Sequence, residues 1–353
     1  MATYVTPTRF TPTATSAWTD LDVSSIVPAG SSGVIFHALN NSAGALAFGM
    51  RMNGSADNRT ANLAATHHGW GVIGVDSSRI CEAFVGSTSS IVIRIIGYFA
   101  TTDAVFFTNG ADKSAATTGG WGDVAIATDT TGSDVAIAAC FEITEGSTTN
   151  WGIRKNGSAD ALLQDDVSTH VFGVVGVDAS EIFEQQIAGT AVDLFLTGYI
   201  MTNAVLYTNT LLRTATAASA WVDLTAVGST STDARTRTGG IYQLTTNTVV
   251  AGMRFNGSTA TDARNTKNTW SMPQVDASNL VEAFAVATSR EFREMGFFTA
   301  DATASASATA TATATGAGES TLRTLALTGI GRAIGGIVIL PSVPMPWAGK
   351  KVA

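Results

Sequence analysis

Charged side chains are scarce. They make up 14% of the 353 residues, against about a quarter in an ordinary globular chain, so Thr, Ser, Asn and Gly must supply the polar surface. With 45% hydrophobic residues the chain has ample material for a core, and disorder driven by charge is excluded. Basic residues are fewer still: 20 Lys and Arg face 28 Asp and Glu, a net charge of −8, which argues against nucleic acid as a partner because phosphate binding needs a basic face. Two cysteines, Cys81 and Cys140, make neither a disulfide scaffold nor a four-cysteine zinc site. Four histidines leave little material for general-base chemistry. No long uninterrupted apolar run is present. The nearest, Leu325 to Leu340, is broken by Arg332 and five Gly or Thr residues and stops at Pro341, so no membrane span is expected. The opening Met1-Ala-Thr-Tyr-Val-Thr-Pro-Thr-Arg9 lacks the apolar segment of a secretory signal, and export by that route is not expected.

What the chain does have is an internal repeat. Gly-x-Arg-x-Asn-Gly-Ser occurs three times, around Arg51-Met-Asn53-Gly54, Arg154-Lys-Asn156-Gly157 and Arg254-Phe-Asn256-Gly257, at spacings of 103 and 100 residues. Trp18, Trp121 and Trp221 precede the copies, each with an aromatic (Tyr4, Phe107, Tyr207) 14 residues upstream. Trp70, Phe172 and Trp270 stand six residues before Asp76, Asp178 and Asp276, which stand six before Glu82, Glu184 and Glu282. Modules of about 100 residues follow, a size at which each copy can own a core. The expected boundaries are 1–101, 102–202 and 203–301, with 302–353 as a C-terminal half-repeat.

Runs such as Ile91 to Ile96 and Val192 to Thr197 are short, β-branched and end at Gly, and no window keeps a 3.6-residue period. The fold class is therefore all-β: three tandem antiparallel β-sandwich, jelly-roll-like modules plus a half-module. Asn-Gly in each copy predicts a type I′ hairpin turn. The Asp76, Asp178 and Asp276 segments predict Asx turns or a short helical cap. Ala302 to Thr315 alternates as a strand would, although its composition also allows a linker. A half-module cannot bury its own apolar face, so Leu325, Ile330, Ile334, Ile337, Ile339 and Trp347 form a candidate assembly segment that docks by strand addition.

No catalytic, cofactor or metal site is predicted. His67-His68 with Cys81 suggests a metal at first sight, yet His170 matches only His68 and the third copy has Asn268 there. The Asp and Glu pairs resemble hydrolase carboxylates, but with an Arg nearby in every copy the simpler reading is a turn-capping Asp and an Arg–Glu ion pair. The three Asn-Gly-Ser sequons are explained by turns. The repeated aromatics read as core, with sugar-stacking platforms the alternative. Cys81 and Cys140 read as small buried hydrophobes.

These repeats, low in charge, rich in Ala, Thr, Gly and Ser and free of a catalytic constellation, resemble accessory structural proteins of tailed bacteriophage virions: capsid decoration proteins, head fibres and tail-associated adhesins. That resemblance implies a non-enzymatic role on the virion surface, synthesis in the host cytoplasm and other virion proteins as partners. It also implies homo-oligomerisation, a trimer being one form. The alternative is an adhesin that binds host carbohydrate through loops of the three repeats. Three repeats in one chain would let a monomer imitate a trimer at a threefold site.

Overall fold

A computed structural model describes residues 1–300 apart from 146–148, 166–169, 226–235, 246–248, 267–268 and 288–289. The tract 302–315 and the candidate assembly segment, Leu325 to Trp347, lie outside the described residues. All regular structure among the described residues is β-strand. No helix of the described residues is long and apolar enough to cross a membrane.

Each repeat contributes eight strands. The first has β1 (Ala2–Phe10), β2 (Trp18–Asp22), β3 (Ser31–Asn40), β4 (Leu46–Met52), β5 (Ala61–Leu63), β6 (His68–Gly74), β7 (Ile80–Val85) and β8 (Ile91–Ala100). The second has β9 (Ala104–Asp112), β10 (Gly122–Ala125), β11 (Ala138–Glu145), β12 (Asn150–Lys155), β13 (Gln164–Asp165), β14 (His170–Gly176), β15 (Ile182–Ile187) and β16 (Val192–Ile200). The third has β17 (Ala204–Thr214), β18 (Ala220–Thr225), β19 (Arg237–Thr245), β20 (Val249–Phe255), β21 (Arg264–Thr266), β22 (Thr269–Ser271), β23 (Leu280–Ala285) and β24 (Glu291–Thr299).

These make six four-stranded antiparallel sheets, two per repeat. An inner sheet runs β1-β8-β3-β6, β9-β16-β11-β14 or β17-β24-β19-β22, and an outer one β2-β7-β4-β5, β10-β15-β12-β13 or β18-β23-β20-β21. Strands of the two sheets interleave along the chain.

The expectation of three tandem β-sandwich, jelly-roll-like modules, each with its own core, is corrected here. The outer sheet of each repeat also packs on the inner sheet of the next: β4 meets β9, β12 meets β17 and β21 meets β6. Six small sheets thus succeed one another in a closed ring, as the blades of a six-bladed propeller do, with blades drawn from non-consecutive strands. The central strands β6, β14 and β22 touch one another pairwise. The physical reason lies in burial. Strand β14 is buried at every residue and β6 at all but one, so both faces are covered, one by the sister sheet and the other by a neighbouring repeat. The largest apolar cluster accordingly draws Ile35, Trp70 and Phe99 from the first repeat, Phe141, Trp151 and Leu196 from the second, and Ile241, Trp270 and Phe298 from the third.

The Asn-Gly turns also differ from expectation. Gly54, Gly157 and Gly257 have φ of 77°, 77° and 76°, while no positive φ falls on the preceding Asn. With Ser55 N donating to Met52 O at 3.2 Å, this is the φ pattern of a type II turn and not type I′, which needs both central residues at positive φ.

Candidate functional site

Each repeat builds one polar unit on its outer sheet. Arg51 lies directly across the ladder from Glu82, Arg154 from Glu184 and Arg254 from Glu282. Each guanidinium makes a two-pronged bond to its carboxylate, Nε to Oε2 at 2.8 Å and Nη2 to Oε1 at 3.2 Å. Each also lies 4.1 Å over the ring of Trp18, Trp121 or Trp221. Those three tryptophans are half-buried, a correction to their reading as core. Their fixed distance of 33 residues to the Arg is the signal that would have revealed the stack.

The Asn of each turn is needed for its amide. Asn53, Asn156 and Asn256 donate to Oδ2 of Asp76, Asp178 and Asp276 at 2.7, 2.7 and 2.8 Å. Oδ1 of each Asp accepts two backbone N–H groups, as from Ser78 at 2.8 Å and Ile80 at 2.9 Å, which is an Asx turn without a helix. Burial alone would raise the Asp76 and Asp178 carboxyls, but the bonds from Asn53 and Ile80, and from Ile182 and Asn156, outweigh it. For Asp276 the Leu280 and Asn256 donors dominate, so all three are held below the usual carboxylate range. Within each repeat the Asp and Glu therefore serve different units, one a turn and the other an arginine.

The remaining candidates are structural or dispersed. Cys81 and Cys140 are free and fully buried, and burial pushes the Cys81 thiol up to about 12. His68 lies against His37, Nδ1 to Nε2 at 3.2 Å. No metal-holding group of His, Cys, Asp or Glu occurs among the described residues.

Sequence reasoning missed the seams between repeats. At the first, Phe48 meets Phe172 with ring centroids 6.4 Å apart. Arg59 donates to Glu142 at 2.8 Å and lies 3.9 Å over Phe195. Ser55 and the N–H of Ala56 bond Asn109 at 3.1 and 2.8 Å, and Asp57 accepts the N–H of Gly110 at 2.7 Å. At the second, Trp151 stacks on Trp270 at 6.2 Å. Ser158 and Ala159 bond Asn209 at 3.1 and 2.7 Å, and Asp160 accepts the N–H of Thr210 at 2.6 Å.

At the third seam, between repeats three and one, four parts of this latch are changed and only its serine, Ser258, is kept. By position in the repeat, Ala251 replaces Phe48 and Trp151, Ala260 replaces the Asp, Thr6 replaces the Asn, and Pro7 stands where Gly110 and Thr210 supply an N–H. Arg94 pairs with Asp262 across this seam, and Tyr4 donates to Met272 O at 3.1 Å. Between them opens a cavity of about 930 Å³ lined by Tyr4, Thr6, Pro7, Trp70, Arg94 and Ala260 among others. The corresponding space at the second seam holds about 10 Å³, room for one water at most.

No protein-family model matches the chain, and no curated protein is significantly similar to it.

Proposed function

We propose that the chain is a non-enzymatic structural protein of a virion surface, a decoration or surface-fibre component that attaches through its C-terminal segment. The observation that supports this reading is the closed ring: one chain presents three similar outer sheets around a centre where β6, β14 and β22 meet. Such a body matches a threefold or quasi-threefold site without assembling three chains. The commitment of each Asp to a turn and each Glu to an arginine favours a scaffold over a hydrolase. The loops after Asn53 and Asn156 are engaged in the seams, which weighs against an adhesin that recognises its target through the same loop in all three repeats.

Light scattering on the full chain and on a form lacking residues 318–353 tests the attachment. The full chain should form a closed oligomer, and the shortened one should remain a folded monomer with its β-sheet circular dichroism intact. Equal masses would remove the C-terminal segment from assembly.

A further inference from the structure

The third seam is built differently from the other two at four separate positions, and the four differences act together. Loss of the ring at Ala251, the acceptor at Ala260, the amide at Thr6 and the N–H at Pro7 each weakens closure, and Thr6, Pro7 and Ala260 line the resulting cavity. The seam is nevertheless held in place by the Arg94–Asp262 pair and by Tyr4, whose ring packs where Gly239 has no Cβ. An opening of about 930 Å³ lies in the usual range of small-molecule sites.

We infer that this cavity is a binding site for a short, uncharged oligosaccharide of about two or three rings. Four observations select that chemistry. First, the walls combine aromatic rings, Tyr4, Trp70 and Trp221, with polar groups of Arg94, Asp262 and Gln274, the mixture that meets the apolar C–H face and the hydroxyls of a sugar. Phe255 is 40% exposed and belongs to the same lining, so it offers a platform for stacking. Second, both arginines are already neutralised, Arg94 by Asp262 and Arg254 by Glu282, and the cavity has no surplus positive charge to select an anion. Third, Thr6, Thr259 and Thr261 belong to the same lining, and their hydroxyls can both donate to and accept from the hydroxyls of a sugar. Fourth, a peptide adding as a strand would meet β1 where its register breaks between Tyr4 and Thr8 and where Pro7 has no N–H, which disfavours strand addition.

Among the described residues the other two seams are bridged by their latches; the proposal does not use the attachment role of the C-terminal segment, so its failure would leave the structural proposal standing. The test uses the full chain with a panel of neutral trisaccharides built from hexose, deoxyhexose and N-acetylhexosamine, with 3′-sialyllactose as the charged comparison. Binding is read by saturation-transfer NMR and tryptophan fluorescence up to about 10 mM, a range that reaches a binding free energy as weak as about −4 kcal/mol. At least one neutral trisaccharide should bind saturably and more tightly than sialyllactose. Phe255→Ala, at an exposed position, should weaken it about tenfold with an unchanged melting temperature, an effect of the size of one lost anchor. Ala260→Trp, which places a large ring on the cavity wall, should abolish it. No saturable binding of any neutral sugar, stronger binding of sialyllactose, or binding unaffected by Phe255→Ala would each overturn the assignment.

Discussion

The first two seams bring corresponding strands together, β4 on β9 and β12 on β17, whereas the third brings β21 onto β6; two are filled and one is open. Phe48 and Trp151 each bring a ring to the next repeat, and Ala251 brings none. Duplication thus fixed the framework, the Arg–Glu–Trp unit and the Asn–Asp turn, while the interfaces were free to diverge. A ring of three needs all three contacts for closure but not equal contributions from them, and the large shared core lets one seam give up packing for a cavity.

The largest expected effect comes from emptying a filled seam. Trp270 is fully buried against Phe141 and Trp151, and Trp270→Ala should cost about 3–5 kcal/mol. Because the core runs through all repeats, calorimetry should show one transition moved downward as a whole. Separate melting of the third repeat would mean that the seams do not couple the repeats. Next comes the buried ion pair of the first seam. Glu142 is buried and bound by both Arg59 and His170, so Arg59→Ala, which takes away its arginine and leaves it with His170, should cost about 3 kcal/mol in a denaturant titration. The equivalent test at the open seam is Arg94→Ala. Its side chain and that of Asp262 are 28% and 21% exposed, and the loss should be about 1 kcal/mol or less and shrink with added salt. Equal losses for the two arginines would erase the distinction between filled and open seams.

Much of the repeat unit was legible in the sequence because it is local and repeated. Arg51 and Trp18 sit at fixed offsets from Asn53 in every copy, and Glu82 sits at a fixed offset from Asp76; the stretch between these two groups varies in length, so each group could be read from spacing. The turn type was misread because Asn-Gly is compatible with two turns, and the demand on Asn53 came from Asp76, 23 residues away. The ring was not legible: Phe172 looks like an ordinary core residue of its own repeat, and nothing in its neighbours in sequence says that its ring meets Phe36 and Phe48 of the preceding one. The third seam was visible only as absences, at Ala251, Ala260, Thr6 and Pro7, which acquire meaning once the partner positions in the other repeats are known to touch.

Acid provides the smallest effect per site and the best control for the comparison, because the groups concerned are the same in all three repeats. Asp76, Asp178 and Asp276 are held below the ordinary carboxylate range by the donors around them. A carboxyl lowered in the folded state contributes stability that is present above its unfolded value, about 3.9, and drains as the pH falls from there through the folded value. Stability should therefore be flat across neutral pH as far as these turns are concerned and decline below about pH 4. Asp76→Asn, which keeps the shape but not the charge, should lower stability at pH 7 by about 1 kcal/mol and flatten the acid limb by its own share. The same substitution at Asp276 should do the same within a few tenths of a kcal/mol, because the donors around the two carboxylates correspond; Asp178 should lose slightly more, since the Lys155 ammonium, which also donates to Leu206 O across the second seam, favours its charged form. A markedly larger loss for Asp276 than for Asp76 would show that the open seam weakens the third repeat's own turn, and that the difference between the seams reaches further into the fold than the cavity walls.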